Sequence, residues 1–390
     1  MLFSIAIILL SGLLFGTICK WIRFPSLFGM ILAGVLIGPY ALNLIDDSIL
    51  IISSDIRRIA LIIILIRAGL KLNLSDLKKV GRPAMLMCFV PACFEIMGMI
   101  ILAPKILGIS ILDAAILGAV IGAVSPAVVV PRMIKLIDEG YGIKEGIPQM
   151  ILAGASVDDV FVIVMFTAFT SMAQGMGVSL MAFVNIPISI AVGIVIGFVA
   201  GYFINKWFSK CNINAVIETV LILSISFIFS TIETQHPTIP FASLIAIMSM
   251  GAAIKYADSS MAVRLSSQYD KLWVVAEIFL FVLVGASVAI SHAKEAGISA
   301  IILILLVIVF RMVGVFICVL GTNLNAKERL FCMIAYTPKA TVQAAIGGIP
   351  LAMGLPCGEL ILTVSVVAIL LTAPLGAFGI DLTYRRFLKK

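Results

Sequence analysis

The chain has 390 residues, of which 62% are hydrophobic and 12% are charged, and its net charge is +7. Soluble domains are roughly half apolar and about one quarter charged, so this composition excludes a soluble globular protein. The positive charge lies in short connections between apolar segments and forms no basic run interleaved with aromatic residues, which argues against a nucleic-acid partner. Apolar stretches of about twenty residues, each long enough to cross a bilayer, recur along the chain. These features predict an all-α polytopic membrane protein.

The apolar segments predict about thirteen membrane spans. They lie near residues 3–19, 24–42, 56–70, 83–103, 113–133, 147–171, 180–206, 214–230, 239–255, 274–292, 297–320, 329–353 and 357–380. We interpret residues 1–171 (spans 1–6) and 213–390 (spans 8–13) as two inverted six-helix repeats. Residues 172–212, with span 7, then form a linker helix.

Lysine and arginine in the connections predict the orientation of the chain. Most of the 27 Lys and Arg residues fall in one set of alternate connections, a set that includes the C-terminal tail. Because cytoplasmic loops carry the excess of positive residues, this set is expected to be cytoplasmic. An odd number of spans puts the termini on opposite faces. We therefore expect a multi-pass protein of the inner (cytoplasmic) membrane, with its N-terminus outside and its C-terminus in the cytoplasm.

Two adjacent carboxylates, Asp158 and Asp159, lie at the centre of the sixth span. Placing an ionisable side chain at this depth costs a few kcal/mol of free energy, so such a residue is expected to have a function. Adjacent helical residues point about 100° apart, so one carboxylate can face a cavity and the other a neighbouring helix. Carboxylate oxygens suit H⁺, Na⁺ and Li⁺, and a site that holds either a proton or a cation predicts antiport. Helix-cap or interface aspartates are the less favoured alternative at mid-bilayer.

Two spans carry a hydroxyl residue followed by proline. Span 5 contains Ser125-Pro126, and span 12 contains Thr337-Pro338 followed by Lys339. Proline removes a backbone donor and breaks a helix, and paired broken helices in two repeats point to a binding site at the midplane. Span 5 matches span 12 in the proposed repeat order. Ordinary proline kinks remain an alternative for each motif taken alone.

The other buried charges fall in equivalent spans. Lys339 needs a partner within the membrane, and the aspartate pair of span 6 is the natural candidate. Glu95 lies in span 4 and Arg311 in its equivalent, span 11. Arg67 ends span 3 and Glu277 begins its equivalent, span 10. We predict structural ion pairs Glu95–Arg311 and Arg67–Glu277, because buried pairs more often fix geometry than bind substrate.

The segments VSPAVVVP, GASVDDVF and TPKATVQAAIG together resemble the second branch of the monovalent cation:proton antiporter superfamily, and are most similar to the NHA-type sodium/proton antiporters. The resemblance implies a homodimer with a dimerisation unit and a core unit, from spans 3–6 and 10–13, that moves like an elevator. It implies that Asp159 is the main cation and proton carrier, that Asp158 pairs with Lys339, and that Ser125 and Thr341 line the site.

The resemblance also implies transported Na⁺ or Li⁺ and H⁺, with no cofactor. Many relatives carry long cytoplasmic tails with regulatory domains, whereas this sequence ends shortly after its last span. Regulation by nucleotide or glutathione is therefore not expected.

Three other classes of membrane protein share some of these sequence features. A K⁺/H⁺ antiporter shares the architecture, and residue identity does not separate it from a Na⁺/H⁺ antiporter. A sodium-coupled organic-anion symporter also uses crossed broken helices, but Asn, Gln and Ser would be expected around its Na⁺. An intramembrane hydrolase would need a nucleophile with a base or a histidine-based metal motif, and the sequence contains no HExxH. An enzyme is therefore not expected.

Overall fold

The described part of the chain is built from α-helices. A computed structural model describes residues 1–22, 24–72, 81–174, 180–211, 214–235, 241–287 and 290–390, and contains no strand within them. The predicted all-α class is confirmed. In chain order the helices are α1 (Leu2–Trp21), α2 (Ser26–Ile37), α3 (Asp47–Ile51), α4 (Ser53–Lys71), α5 (Arg82–Met87), α6 (Val90–Leu107), α7 (Ile111–Ile121), α8 (Pro126–Glu139), α9 (Ile147–Ala173), α10 (Leu180–Lys210), α11 (Ala215–Gln235), α12 (Ser243–Ala257), α13 (Ser259–Ala286), α14 (Ile290–Cys318), α15 (Ala326–Ala335), α16 (Thr341–Ile346), α17 (Ile349–Ala352) and α18 (Gly358–Phe387).

Within the described residues, eight helical stretches are long and apolar enough to cross a membrane. They are Leu2–Trp21, Arg82–Leu107, Ile111–Glu139, Ile147–Ala173, Ile188–Lys210, Ala215–Gln235, Gly297–Cys318 and Gly358–Phe387. All eight fall on predicted spans, and the shorter apolar helices Ser26–Ile37, Ser243–Ala257 and Thr341–Ala352 fall on three more. The chain is a polytopic membrane protein, as predicted.

The tenth predicted span differs most from the structure. It was placed near residues 274–292, but helix α13 begins at Ser259. The segment before Val274 carries Arg264, Asp270 and Lys271, and these charges made it resemble a loop. In the structure these residues belong to the same helix as the apolar part.

Both proline motifs interrupt their helices. Helix α7 ends at Ile121 and α8 begins at Pro126, while α15 ends at Ala335 and α16 begins at Thr341. Proline disfavours a helical backbone at the residue before it, and Ser125 is accordingly extended, at φ −87° and ψ 110°. The two breaks contact each other, since the Ser125 N–H donates to the Pro338 carbonyl over 2.7 Å. The predicted pair of broken helices is confirmed, and their contact is a finding of the structure.

The chain divides into two compact units. The first comprises Met1–Ser54, Asn73–Phe166 and Ile278–Lys390, and the second comprises Asp55–Leu72 and Thr167–Glu277. Both helix breaks lie in the first unit. The buried side chains around them include Met87, Ile151, Phe331, Tyr336 and Tyr384.

In the second unit, α10 and α12 pack backbone to backbone. Three glycines on one face of α10 lie against carbonyl oxygens of the opposite segment, at Ala242, Ala246 and Met250. These glycines are Gly193, Gly197 and Gly201, spaced at four residues so that they share one face. Small residues at such spacing let membrane helices approach closely and gain van der Waals contact.

Substitution of Gly197 is expected to force these helices apart. A Cβ at this position would lie 2.1 Å from the Ala246 carbonyl oxygen, which is backbone and has no rotamer to change. We expect Gly197→Ala to destabilise the protein by about 1–3 kcal/mol, measured as a lower melting temperature in detergent. Gly297→Ala is the matched control, because a Cβ there meets nothing within 4 Å. Equal melting of the two variants would contradict the close packing.

Arg67, also in the second unit, pairs with Asp270. Its Nη2 lies 2.6 Å and its Nε 2.8 Å from Asp270 Oδ1, and its guanidinium lies 5.1 Å from the centre of the Trp273 ring. The predicted partner was Glu277, two turns further along the same helix. This correction follows from the misplaced start of α13, because Asp270 had been assigned to a loop.

Candidate functional site

The two adjacent aspartates lie inside the continuous helix α9. Asp158 is 0% exposed and Asp159 is 9% exposed. Asp158 Oδ2 accepts a hydrogen bond of 2.7 Å from the backbone N–H of Val124, a residue of the break between α7 and α8. The carboxylate thus satisfies a backbone donor that the interrupted helix leaves without a helical acceptor. Asp158 is tied directly to the first break.

Arg311, on α14, is the centre of a buried network. Its Nη1 donates to Glu95 Oε2 over 2.7 Å, and its Nη2 donates to Asp158 Oδ2 over 2.8 Å. Its Nε donates to the Tyr336 carbonyl over 2.6 Å, and Nη1 also to the Gly122 carbonyl over 2.5 Å. The structure therefore brings together the predicted partners Glu95 and Arg311. The planar guanidinium fork further joins both helix breaks, which a point charge could not do.

Lys339 pairs with Glu95 and not with the aspartates. Its Nζ lies 2.5 Å from Glu95 Oε2, and its backbone N–H donates to Thr372 Oγ1 over 2.9 Å. The predicted Asp158–Lys339 pair is therefore corrected. Asp158 Oδ2 is already engaged by Arg311 and the Val124 N–H, so the lysine ammonium shares Glu95 with Arg311.

The charges of this network balance without Asp159. In their ionised forms Arg311 and Lys339 contribute two positive charges, while Glu95 and Asp158 contribute two negative charges, and all four side chains are 0% exposed. Asp159 forms no ion pair with any described residue, and its Oδ1 is buried without a hydrogen-bond partner among them. A buried carboxylate in this position lacks one compensating positive charge.

All four residues predicted to bind the cation carry an unpartnered buried oxygen. Within the described part of the chain, the atoms are Asp158 Oδ1, Asp159 Oδ1, Ser125 Oγ and Thr341 Oγ1, and Glu95 Oε1 shares the property. Buried polar atoms are nearly always hydrogen-bonded, so such a group calls for an explanation. Carboxylate and hydroxyl oxygens are the ligands that hard cations prefer.

Each helix break is also accompanied by a hydroxyl residue. Among the residues that the structure describes, no group of three or more His, Cys, Asp or Glu could hold a metal ion. Ser125 is the residue just before α8, and Thr341 is the first residue of α16, so a hydroxyl residue lies at the start of each of these two helices. Hydroxyl oxygens are among the ligands that hard cations accept.

Sequence reasoning missed Tyr336. The residue is completely buried, its ring centre lies 5.0 Å from the Arg311 guanidinium, and its hydroxyl donates to the Met87 carbonyl over 3.0 Å. Gly154, one turn before Asp158 on α9, makes room for it, because a Cβ there would lie 2.7 Å from the tyrosine hydroxyl. Its position directly before the Thr-Pro motif could have indicated that this aromatic residue belongs to the site.

Comparison with known proteins gives the family. The model of the family described as "Sodium/hydrogen exchanger, transmembrane" matches residues 5–384. Sodium/hydrogen exchanger 9B2 of Homo sapiens is 32% identical to this chain. The alignment, which is 412 residues long with its gaps, covers 100% of this chain and 75% of that protein. Sodium/hydrogen exchanger 9B1 of Mus musculus is 31% identical over 411 residues, covering 100% and 72%.

Among solved structures, the fold matches that of the sodium proton antiporter MjNhaP1 from Methanocaldococcus jannaschii at pH 8. The TM-score is 0.85 at 21% identity, over 99% of this chain and 98% of that chain. At this identity the likeness concerns the fold alone. The matched family model and the relatives along the entire chain establish that this protein belongs to the sodium/hydrogen exchanger family.

Proposed function

We propose that this protein is a secondary antiporter that exchanges Na⁺ or Li⁺ for H⁺ by alternating access. The observation that carries the proposal is the buried carboxylate of Asp159, which forms no ion pair with a described residue and lies beside a network whose own charges balance. The family of exchangers and the shared fold support it. Members of such a family move ions across a membrane, which is transport and not enzymatic catalysis.

Competition for one negative charge supplies the coupling. An ionised Asp159 in a low-dielectric site is costly, and either a proton or a monovalent cation removes that cost by supplying one positive charge. Both cannot do so at once, because the second would leave an excess positive charge. Asp159 thus crosses the membrane barrier with either a proton or a cation bound. Exchange requires this.

The neighbouring residues have distinct roles in this proposal. Asp158, Ser125 and Thr341 offer the additional oxygens for Na⁺ or Li⁺. Arg311 holds Asp158 in place and joins the two breaks, while Lys339 compensates the second negative charge of the network by pairing with Glu95. No cofactor is needed, since the transported ions supply the chemistry.

The proposal also includes the membrane, the orientation and the oligomeric state of the protein. We place the protein in the inner (cytoplasmic) membrane, with the N-terminus outside, on the distribution of Lys and Arg between alternate connections. The resemblance to NHA-type antiporters supports a homodimer and a core unit, from predicted spans 3–6 and 10–13, that moves as an elevator. Inverted repeats at 1–171 and 213–390 would place the two helix breaks at equivalent positions.

Dissipation of a preset pH gradient in proteoliposomes tests the exchange. We expect Na⁺ and Li⁺ to dissipate the gradient and K⁺ to have little effect, with protein-free liposomes and choline chloride as controls. A response to K⁺ alone would identify a K⁺/H⁺ antiporter of the same fold. Absence of a response to all three cations would overturn the antiport proposal and favour a sodium-coupled organic-anion symporter.

A further inference from the structure

Gln343, on α16, uses its side-chain amide to bridge the two helix breaks. Its Nε2 donates to the carbonyl of Ile121, the last residue of α7, over 3.2 Å and to the carbonyl of Ala123, in the first break, over 3.0 Å. Its Oε1 accepts a 2.7 Å hydrogen bond from the backbone N–H of Ala340, directly before α16. The side chain is completely buried, so water does not compete for these partners.

These three hydrogen bonds fix the backbone beside the two hydroxyl residues. Ala123 lies two residues before Ser125, and Ala340 is bonded directly to Thr341. A second link joins the same segments, since the Ser125 N–H donates to the Pro338 carbonyl. The neutral amide of Gln343 thus helps to fix where the first break, with its hydroxyl, lies relative to the second, alongside the Ser125–Pro338 hydrogen bond and Arg311.

We infer that Gln343 is a positioning residue for cation binding: it holds the two breaks in register, so that Ser125 and Thr341 present their hydroxyls at a fixed separation. The inference rests on the proposed cation site and identifies what sets its geometry. Gln343 also occupies the Ile121 and Ala123 carbonyl oxygens, which leaves the side-chain oxygens of the site to bind the cation.

The chemistry of the position favours glutamine. A carboxamide offers two donors and an acceptor without charge, and the bridge needs both kinds of group. A glutamate would lose the donors and add a negative charge beside a network that is already balanced. An asparagine keeps the amide but is shorter by one methylene. Arg311 also bonds to carbonyls of both breaks, but its charge is engaged by Glu95 and Asp158.

The test separates cation affinity from maximal rate. Gln343→Met has a similar volume and no amide, so we expect the apparent KM for Na⁺ to rise about tenfold, with a smaller change in maximal rate. The midpoint of Na⁺-induced thermal stabilisation in detergent should shift in the same direction, and it needs no transport. Ser365→Ala is the matched control, because it removes a buried hydroxyl whose hydrogen bond among the described residues stays within its own helix, to Ile361, and it should keep the wild-type KM.

A purely structural glutamine would lower the melting temperature and leave the KM of the folded protein within twofold of wild type, and that result would overturn the inference. Should Gln343→Met yield no folded protein, Gln343→Asn serves instead, with an expected intermediate rise in KM and an unchanged KM as the contrary result. Wild type without Na⁺ or Li⁺ exchange would refute the antiport proposal itself. Wild-type exchange with unaltered KM in the variants would refute only the role of Gln343.

Discussion

Replacement of Asp159 by asparagine is expected to abolish sodium/proton exchange and to leave the protein folded. The amide has nearly the same size as the carboxylate, but it carries no charge and takes up neither a proton nor a compensating cation. The network of Glu95, Asp158, Arg311 and Lys339 balances without Asp159, so its ion pairs should persist. Removal of an uncompensated buried carboxylate should leave the melting temperature unchanged or higher.

Exchange by Asp159→Asn is measured as Na⁺- and Li⁺-dependent dissipation of a pH gradient, beside the melting temperature in detergent. Asp381→Asn is the matched control. Its carboxylate is partly exposed and pairs with Arg132, so exchange should continue at a rate close to that of wild type. Transport by the Asp159 variant at a rate comparable to wild type would refute the assignment of the carrier.

Arg311→Lys is expected to lower the melting temperature strongly and to abolish exchange, although the charge is kept. The lysine ammonium is one nitrogen and cannot reach Glu95, Asp158 and the carbonyl of Tyr336 together, as the guanidinium does. At least one of these buried hydrogen bonds would then be lost, at a cost of about 1.5–3 kcal/mol for each bond to a charged group. Thermal unfolding in detergent measures the loss.

Arg132→Lys is the comparison for this variant, since its ion pair with Asp381 lies at a partly exposed position. Exposed pairs contribute about 0–1 kcal/mol, so this change should alter the melting temperature little. If Arg311→Lys unfolded at the same temperature as Arg132→Lys, the buried network centred on Arg311 would not stabilise the protein as described.

The helix breaks and the aspartate pair were predictable because their signals are local. A proline after a hydroxyl residue interrupts a helix by its own stereochemistry, which gave the breaks at Ser125-Pro126 and Thr337-Pro338. Adjacent aspartates in an apolar span are costly wherever the neighbouring helices lie, which singled out Asp158 and Asp159. Neither inference needed the tertiary arrangement.

The partners of the charges depended on tertiary structure. The sequence offered Lys339 several carboxylates at similar depth, and only the packing of α6, α9 and α14 determines that it reaches Glu95. The error at Arg67 had another origin, because assigning the start of α13 to a loop removed Asp270 from consideration. Gln343 resembled an ordinary polar residue, since its partners are backbone carbonyls that no residue identity reveals.

The charge balance of the buried network around Arg311 affects which gradients can drive transport. If its four charges move with Asp159 and exchange no protons, the loaded carrier has the same net charge with H⁺ as with Na⁺. One proton would then cross for each sodium ion, and the electrical potential across the membrane would do no work on the cycle. Only the two concentration gradients would oppose each other, so a difference of one pH unit would hold about a tenfold Na⁺ gradient. Such an exchanger keeps operating when the membrane is depolarised, provided that a pH difference remains.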